Sequence, residues 1–340
     1  MMKYFVLLLP LFFSAVAAGN NGQFQQCISA YNAKDFQTSI MCFDRAILEE
    51  PKNPDNFLYR GHARAELGDL RLALKDYGQA IALSPGDPAA YFYRGVLWFE
   101  LKDYATAIKD YNMAIKLNDS YWSAYVNRGW AQFETGALNR AEQDFKLVLK
   151  FVPNFTQALS GMGRIMLAQS KLDEAIKYFE MAFEQEPNNA SVLNLYADAR
   201  LANGQYSLAI NMYSKALDID PQNLNSLKGR GYAFAELGEK KRAVNEFTAA
   251  LVITPNDVEL LNNRAYTYYE LGNCYDSLED YNKAIAVRSD IAELFHGRSQ
   301  AYQCVGLCDR ARNDASKAIA LDPNNKKYVE QKSLVINGCK

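Results

Sequence analysis

The sequence predicts an all-α chain: antiparallel helical hairpins stacked one on the next, closed by a single helix at the C-terminus. Three observations predict it. Pro51, Pro85, Pro153, Pro187, Pro221, Pro255 and Pro323 are separated only by 34 or 68 residues, and Asp119 and Ser289 hold the two empty slots. Counting Pro54 as site 1 of a 34-residue unit, small residues recur at site 8 (Gly61, Gly95, Gly129), at site 20 (Ala73, Ala107, Ala141) and at site 27. Site 24 is aromatic in eight units: Phe43, Tyr77, Tyr111, Phe145, Phe179, Tyr213, Phe247 and Tyr281. Helices approach closely where small side chains face each other, and an aromatic knob fills the remaining groove, so each unit reads as a hairpin of helix A and helix B.

Taken in order, residues 1–18 (MMKYFVLLLPLFFSAVAA) carry one lysine, an apolar run and the small-residue end Val16-Ala17-Ala18, the pattern of a secretory signal peptide cleaved after Ala18. The run from Tyr4 to Val16 is short against the roughly 20 residues that span a bilayer, so no membrane span is expected after cleavage. Nine units follow in phase, at 20–53, 54–87, 88–121, 122–155, 156–189, 190–223, 224–257, 258–291 and 292–325. The first is degenerate, with Asn20, Asn21, Gly22 and Gln23 at its start, as suits a unit with one neighbour. Glycine at site 15, as in Gly68 and Gly136, closes helix A in the left-handed conformation, and proline at site 32 stops helix B. Residues 326–340 form the unpaired capping helix. Because such a stack grows by nearest-neighbour addition, the 340 residues read as one domain.

The pattern at this period resembles the tetratricopeptide repeat (TPR) family over residues 20–325. The resemblance implies a right-handed superhelical solenoid whose concave face is lined by sites 2, 5, 6, 9, 12 and 13 of helix A. It also implies a protein or peptide ligand. On those sites the candidate groove residues are Tyr59, His62, Phe92, Tyr93, Phe99, Asn127, Trp130 and Phe133, with Glu100 and Glu134 as an acidic rim favouring a basic segment. Lys228 and Asn263 belong to a more polar lining further on. The family's carboxylate clamp is incomplete, with Tyr232, Glu293 and Gly297 at three of its positions.

Site 7 and site 23 carry complementary charges in six units: Arg60 and Asp76, Arg94 and Asp110, Arg128 and Asp144, Arg230 and Glu246, Arg264 and Asp280, Arg298 and Asp314. Both partners disappear together in the other two internal units, as Met162 with Tyr178 and Tyr196 with Met212, which points to contact across the hairpin. These are structural ion pairs. The six cysteines suit an oxidising compartment, periplasmic, secreted or ER-luminal. Sites summing to about 31 face each other, which pairs Cys27 with Cys42; the same end-to-end relation, met twice, pairs Cys274 with Cys304 and Cys308 with Cys339. The alternative, Cys304 with Cys308, strands the other two.

With 37 basic and 39 acidic residues the net charge is −2, which gives no footprint for nucleic acid. The only histidines, His62 and His296, lie seven units apart, so no histidine triad or histidine-rich metal site forms. Four cysteines spread over successive units do not suit a metal either. The expectation is a non-enzymatic scaffold without cofactor, metal or small-molecule substrate; the alternative is a holdase-like co-chaperone offering apolar surface to unfolded chains.

Overall fold

The computed structural model describes residues 22–338, which form nineteen α-helices and no strand. The leader expected at residues 1–18 lies outside the described residues, as does Cys339. The chain falls into two compact units that divide between Ile165 and Met166. A stack in which each hairpin touches only its neighbours has no closed core, so it can divide without a linker.

The first unit holds α1 (Gly22–Asn32), α2 (Phe36–Glu49), α3 (Pro54–Glu66), α4 (Leu70–Leu83), α5 (Pro88–Glu100), α6 (Tyr104–Leu117), α7 (Trp122–Glu134) and α8 (Leu138–Phe151), and the division falls inside α9 (Thr156–Ala168). The second holds α10 (Leu172–Gln185), α11 (Ala190–Ala202), α12 (Tyr206–Ile219), α13 (Leu224–Glu236), α14 (Lys240–Ile253), α15 (Val258–Glu270), α16 (Cys274–Val287), α17 (Ala292–Cys304), α18 (Cys308–Leu321) and α19 (Lys326–Gly338). Odd-numbered helices are the A helices, and α19 is the cap.

The A helices start where the residue before them can accept from their first free N–H groups. Asn53, Asp87, Asn189, Asn223 and Asp257 each do so, with Pro54 and Pro88 at the first turn, where a missing N–H costs nothing. They end on a left-handed residue two positions past the helix. Gly68 takes it with φ 84°, but Lys34, Lys102 and Ser170 hold the same site at φ 60–63° without glycine's freedom.

The site-24 aromatic is the knob of every hairpin but the last, where Ala315 stands at that site. Tyr77, Tyr111, Phe145, Phe179, Tyr213, Phe247 and Tyr281 are almost fully buried. The site-8 glycine makes room for it: a Cβ on Gly61 would stand 2.7 Å from the Tyr77 ring. A second glycine, at site 6 of the following repeat, does the same from the other side. A Cβ on Gly229 would meet the Tyr213 hydroxyl at 2.2 Å, and one on Gly297 the Tyr281 hydroxyl at 2.2 Å. No helix among the described residues is long and apolar enough to cross a membrane.

Candidate functional site

The arginines of site 7 do two jobs at once. Arg94 grips Asp110 with two bonds, from Nε at 2.8 Å and Nη2 at 2.7 Å, and Arg128, Arg264 and Arg298 grip Asp144, Asp280 and Asp314 in the same bidentate way. Arg60 holds Asp76 with Arg64 beside it, and Arg230 reaches both oxygens of Glu246. The remaining guanidinium nitrogen reaches backward to the preceding B helix. It meets Asp44 from Arg60, Asn112 from Arg128, Ser214 from Arg230, Thr248 from Arg264 and Asn282 from Arg298. All five partners occupy site 25, a regularity the sequence displays and the pairing argument passed over. Arg94 is the exception, because Gly78 stands at that site. Tyr196 keeps half of the arrangement with its hydroxyl, which donates to Glu180 at 3.1 Å. The Arg200 guanidinium stacks on its ring at 4.5 Å, while Met212 packs beside Ala197 and Tyr213.

The aromatic side chains expected to line an open groove in the first unit are core. Phe92 is 1% exposed, wedged 4.9 Å from the Tyr121 ring and 6.0 Å from Tyr111. Tyr93 is also buried, edge-on to His62 at 4.3 Å and stacked near Tyr77. Trp130, 9% exposed, meets Phe145 and Phe133 edge to face. Phe99 and Asn127 are buried too, and Tyr59 is half-buried between Phe24 and Phe43. Phe133 lies half-buried under the Arg164 guanidinium. The physical reason is length: a large side chain at site 5, 6 or 9 reaches the seam between adjacent A helices and fills it. Of the acidic rim, Glu100 is exposed and Glu134 half-buried.

His62, expected on the groove, is 3% exposed and shares a 2.8 Å hydrogen bond between Nδ1 and the Tyr77 hydroxyl. Burial pushes its pKa down to about 3, so the imidazole is neutral. The same site-9 to site-24 bond recurs where the Tyr213 hydroxyl donates to Asp198 at 2.5 Å. In the repeat directly after that of His62, Val96 occupies site 9, and the Tyr111 hydroxyl is left buried without a partner.

In the second unit the polar lining divides in two. Lys228 is tied down: Nζ binds Glu259 at 2.6 Å, the Tyr232 hydroxyl donates to the same carboxylate at 2.7 Å, and Asn263 Nδ2 donates to Tyr232 at 2.8 Å. The Lys228 bond holds the Glu259 carboxyl below its ordinary pKa. Beyond this network α15, α17 and the cap α19 enclose a cleft of about 520 Å³, whose lining includes Asn262, Tyr266, Tyr281, Glu293, His296, Gln300, Lys327 and Tyr328. Unlike Lys228, the side chains of Asn262, Glu293, Gln300 and Lys327 make no hydrogen bond or ion pair with the described residues. His296 Nδ1 is buried and without a partner, its ring 5.0 Å from that of Tyr328. Burial lowers the His296 pKa, with Glu293 opposing and Lys327 assisting. The Tyr281 hydroxyl reaches the cleft floor through the gap at Gly297. Asn262 and Tyr266 belong to the more polar lining the sequence placed on the groove, and Glu293 entered only as a departure from the clamp; Lys327 and Tyr328 were missed because the last helix read as a solvated cap, and Gln300, at site 9 of α17, was not singled out.

Cys27 and Cys42 are bridged with Cα atoms 5.3 Å apart, and Cys274 and Cys304 with Cα atoms 6.2 Å apart. The first closes the α1–α2 hairpin; the second ties the start of α16 to the end of α17. The Cys308 to Cys339 pairing lies outside the described residues. Among the described residues there is no group of side chains suited to hold a metal ion.

Family models for the tetratricopeptide repeat match residues 58–121, 155–222 and 265–287, and a model described as TPR repeat matches 231–272, so that the matches together span more than half of the chain. The chain belongs to the tetratricopeptide repeat family. Solved structures share the fold of this TPR protein. A tetratricopeptide repeat protein from Parabacteroides merdae is 17% identical over 74% of this chain and 99% of its own, with a TM-score of 0.52. PilF from Pseudomonas aeruginosa is 16% identical over 63% and 98%, at 0.56. PilW, described as a type IV pilus biogenesis factor, is 20% identical over 60% and 94%, at 0.55. No curated protein matches the chain.

Proposed function

We propose that this TPR protein is a non-enzymatic scaffold that holds segments of partner proteins against the A helices of its second unit, in an oxidising compartment outside the cytoplasm. The observation that carries the reading is the contrast inside the polar lining. Lys228, Glu259, Tyr232 and Asn263 satisfy one another, whereas the cleft between α15, α17 and α19 presents polar groups with no internal partner. A concave site with convergent unpaired polar groups is where a ligand completes the hydrogen bonding. The two disulfides support export, since such bridges persist in the periplasm, the ER lumen or outside the cell.

The holdase alternative is less favoured, because the aromatic side chains that would offer apolar surface to unfolded chains are buried in the seams. The test is affinity purification of the full chain from its own compartment after cross-linking, with partners identified by mass spectrometry. A few defined partners are expected. Capture of many unrelated chains, increasing after heat stress, would overturn the scaffold reading in favour of a holdase.

A further inference from the structure

Asn262 and Gln300 stand one repeat apart on neighbouring A helices, at site 5 of α15 and site 9 of α17, both half-exposed and both without a partner among the described residues. Each amide offers two donors and an acceptor, the complement of a peptide group. One turn before Gln300 on α17 the buried Nδ1 of His296 lacks a partner, and Tyr281 also lines the cleft. A buried polar atom left unpaired is destabilising, and a ligand that pairs it recovers that cost. The two charges of the cleft, Glu293 and Lys327, are opposite in sign and both act on His296, Glu293 from α17 itself and Lys327 from α19. They cancel to leave no net field selecting an acidic or a basic ligand. Neighbouring helices lie roughly 8–10 Å apart, so α15, α17 and α19 give a floor of about 20 Å, the length of about six extended residues.

We propose that this cleft binds an extended, uncharged polar segment, rich in Asn, Gln, Ser or Thr, through paired amide hydrogen bonds from Asn262 and Gln300, with the capping helix α19 forming one wall. The assignment rests on the scaffold reading and narrows it: the ligand is recognised by hydrogen bonds, not by an aromatic anchor and not by charge. A site built to hydrogen-bond its ligand rejects apolar analogues, because they leave its polar groups unpaired.

The experiment uses the full disulfide-bonded chain and pools of end-blocked peptides of about eight residues composed of Asn, Gln, Ser, Thr and Gly. Matched pools carry added Glu, added Lys or added Leu, and binding is read by calorimetry at low and high salt. The neutral polar pool is expected to bind best, with an affinity unchanged by salt, since no net charge is neutralised. Asn262→Ala and Gln300→Ala should each weaken it about three- to tenfold, with unchanged helicity and melting, while Asn225→Ala, exposed on α13 outside the cleft, leaves it unaltered. Preference for the Glu or Lys pool with a steep salt dependence, or for the Leu pool, would overturn the proposal. A natural partner retained equally by wild type and both variants would overturn it too, but leave the scaffold standing. A chain that selects no partner from its own compartment would overturn both.

Discussion

Arg94 and Asp110 form the most isolated of the clasps, because Gly78 supplies no second acceptor behind the guanidinium. The Arg94 side chain is 27% exposed and that of Asp110 6%. Removing the arginine leaves a buried carboxylate without its partner, which costs about 3–5 kcal/mol when burial is complete and less here. Arg94→Ala and Asp110→Ala should each lower stability in urea, and the double variant should cost less than their sum by about 1–3 kcal/mol. Simple additivity in that cycle would mean that the bidentate bond contributes nothing in solution. His62 makes a pH prediction of opposite origin. Its imidazole is neutral in the folded chain, with the pKa pushed down from 6.5 to about 3 by burial among Tyr59, Tyr77 and Tyr93. Between those values the unfolded chain binds the extra proton, so the stability this group contributes is complete above about pH 6.5 and is lost as pH falls, at about 1.4 kcal/mol per pH unit. Denaturant midpoints at pH 7 and pH 5.5 should therefore diverge in wild type and converge in His62→Gln. Equal pH slopes in the two proteins would refute the burial argument.

Helix packing sets the sign of a glycine substitution. Gly78 lies inside α4 with nothing within 4 Å of the position its Cβ would take, so Gly78→Ala should stabilise by about 1 kcal/mol through helix propensity alone. In α17 the identical change at Gly297 drives a methyl group to 2.2 Å from the Tyr281 hydroxyl. Gly297→Ala should destabilise by about 1–3 kcal/mol, and since Tyr281 forms the cleft floor, ligand binding should fall with it. Thermal melts of the two variants, moving in opposite directions, check both claims. The elements themselves were legible in the sequence because the site-32 prolines, the closing glycines and the small and aromatic sites repeat in one register. The clasps were legible for a related reason: the charges at sites 7 and 23 vanish together in two repeats. Their backward contacts were overlooked, because Asp44, Asn112, Ser214, Thr248 and Asn282 share site 25 and polarity but no common residue type. The depth at which the groove side chains lie was not legible where periodicity runs out. A period places Phe92 and Trp130 on the right face of the A helix but does not say that a long side chain lies down into the seam, whereas Asn262 and Gln300 stop short of it.

At the scale of the whole molecule, stability in a repeat array is close to a sum over hairpins and the interfaces between neighbours. Each site-7 arginine that touches site 23 of its own hairpin and site 25 of the one before contributes to both kinds of term, so losing it weakens a hairpin and the joint behind it. The terminal hairpins, having one neighbour each, are where such an array would ordinarily open first. Here Cys27–Cys42 cross-links the first described hairpin, and Cys274–Cys304 sutures the B helix of one late repeat to the A helix of the next. A cross-link removes conformations from the opened state, so opening near either bridge gains less entropy than opening elsewhere. Hydrogen exchange in the oxidised chain should then show its fastest subglobal opening away from the bridges, in α10–α12, where the bidentate arginine clasp is missing. Reduction should move the fastest exchange outward to α1–α2 and α16–α17. The chain behaves as a zipper fastened near its ends, one that comes apart from within.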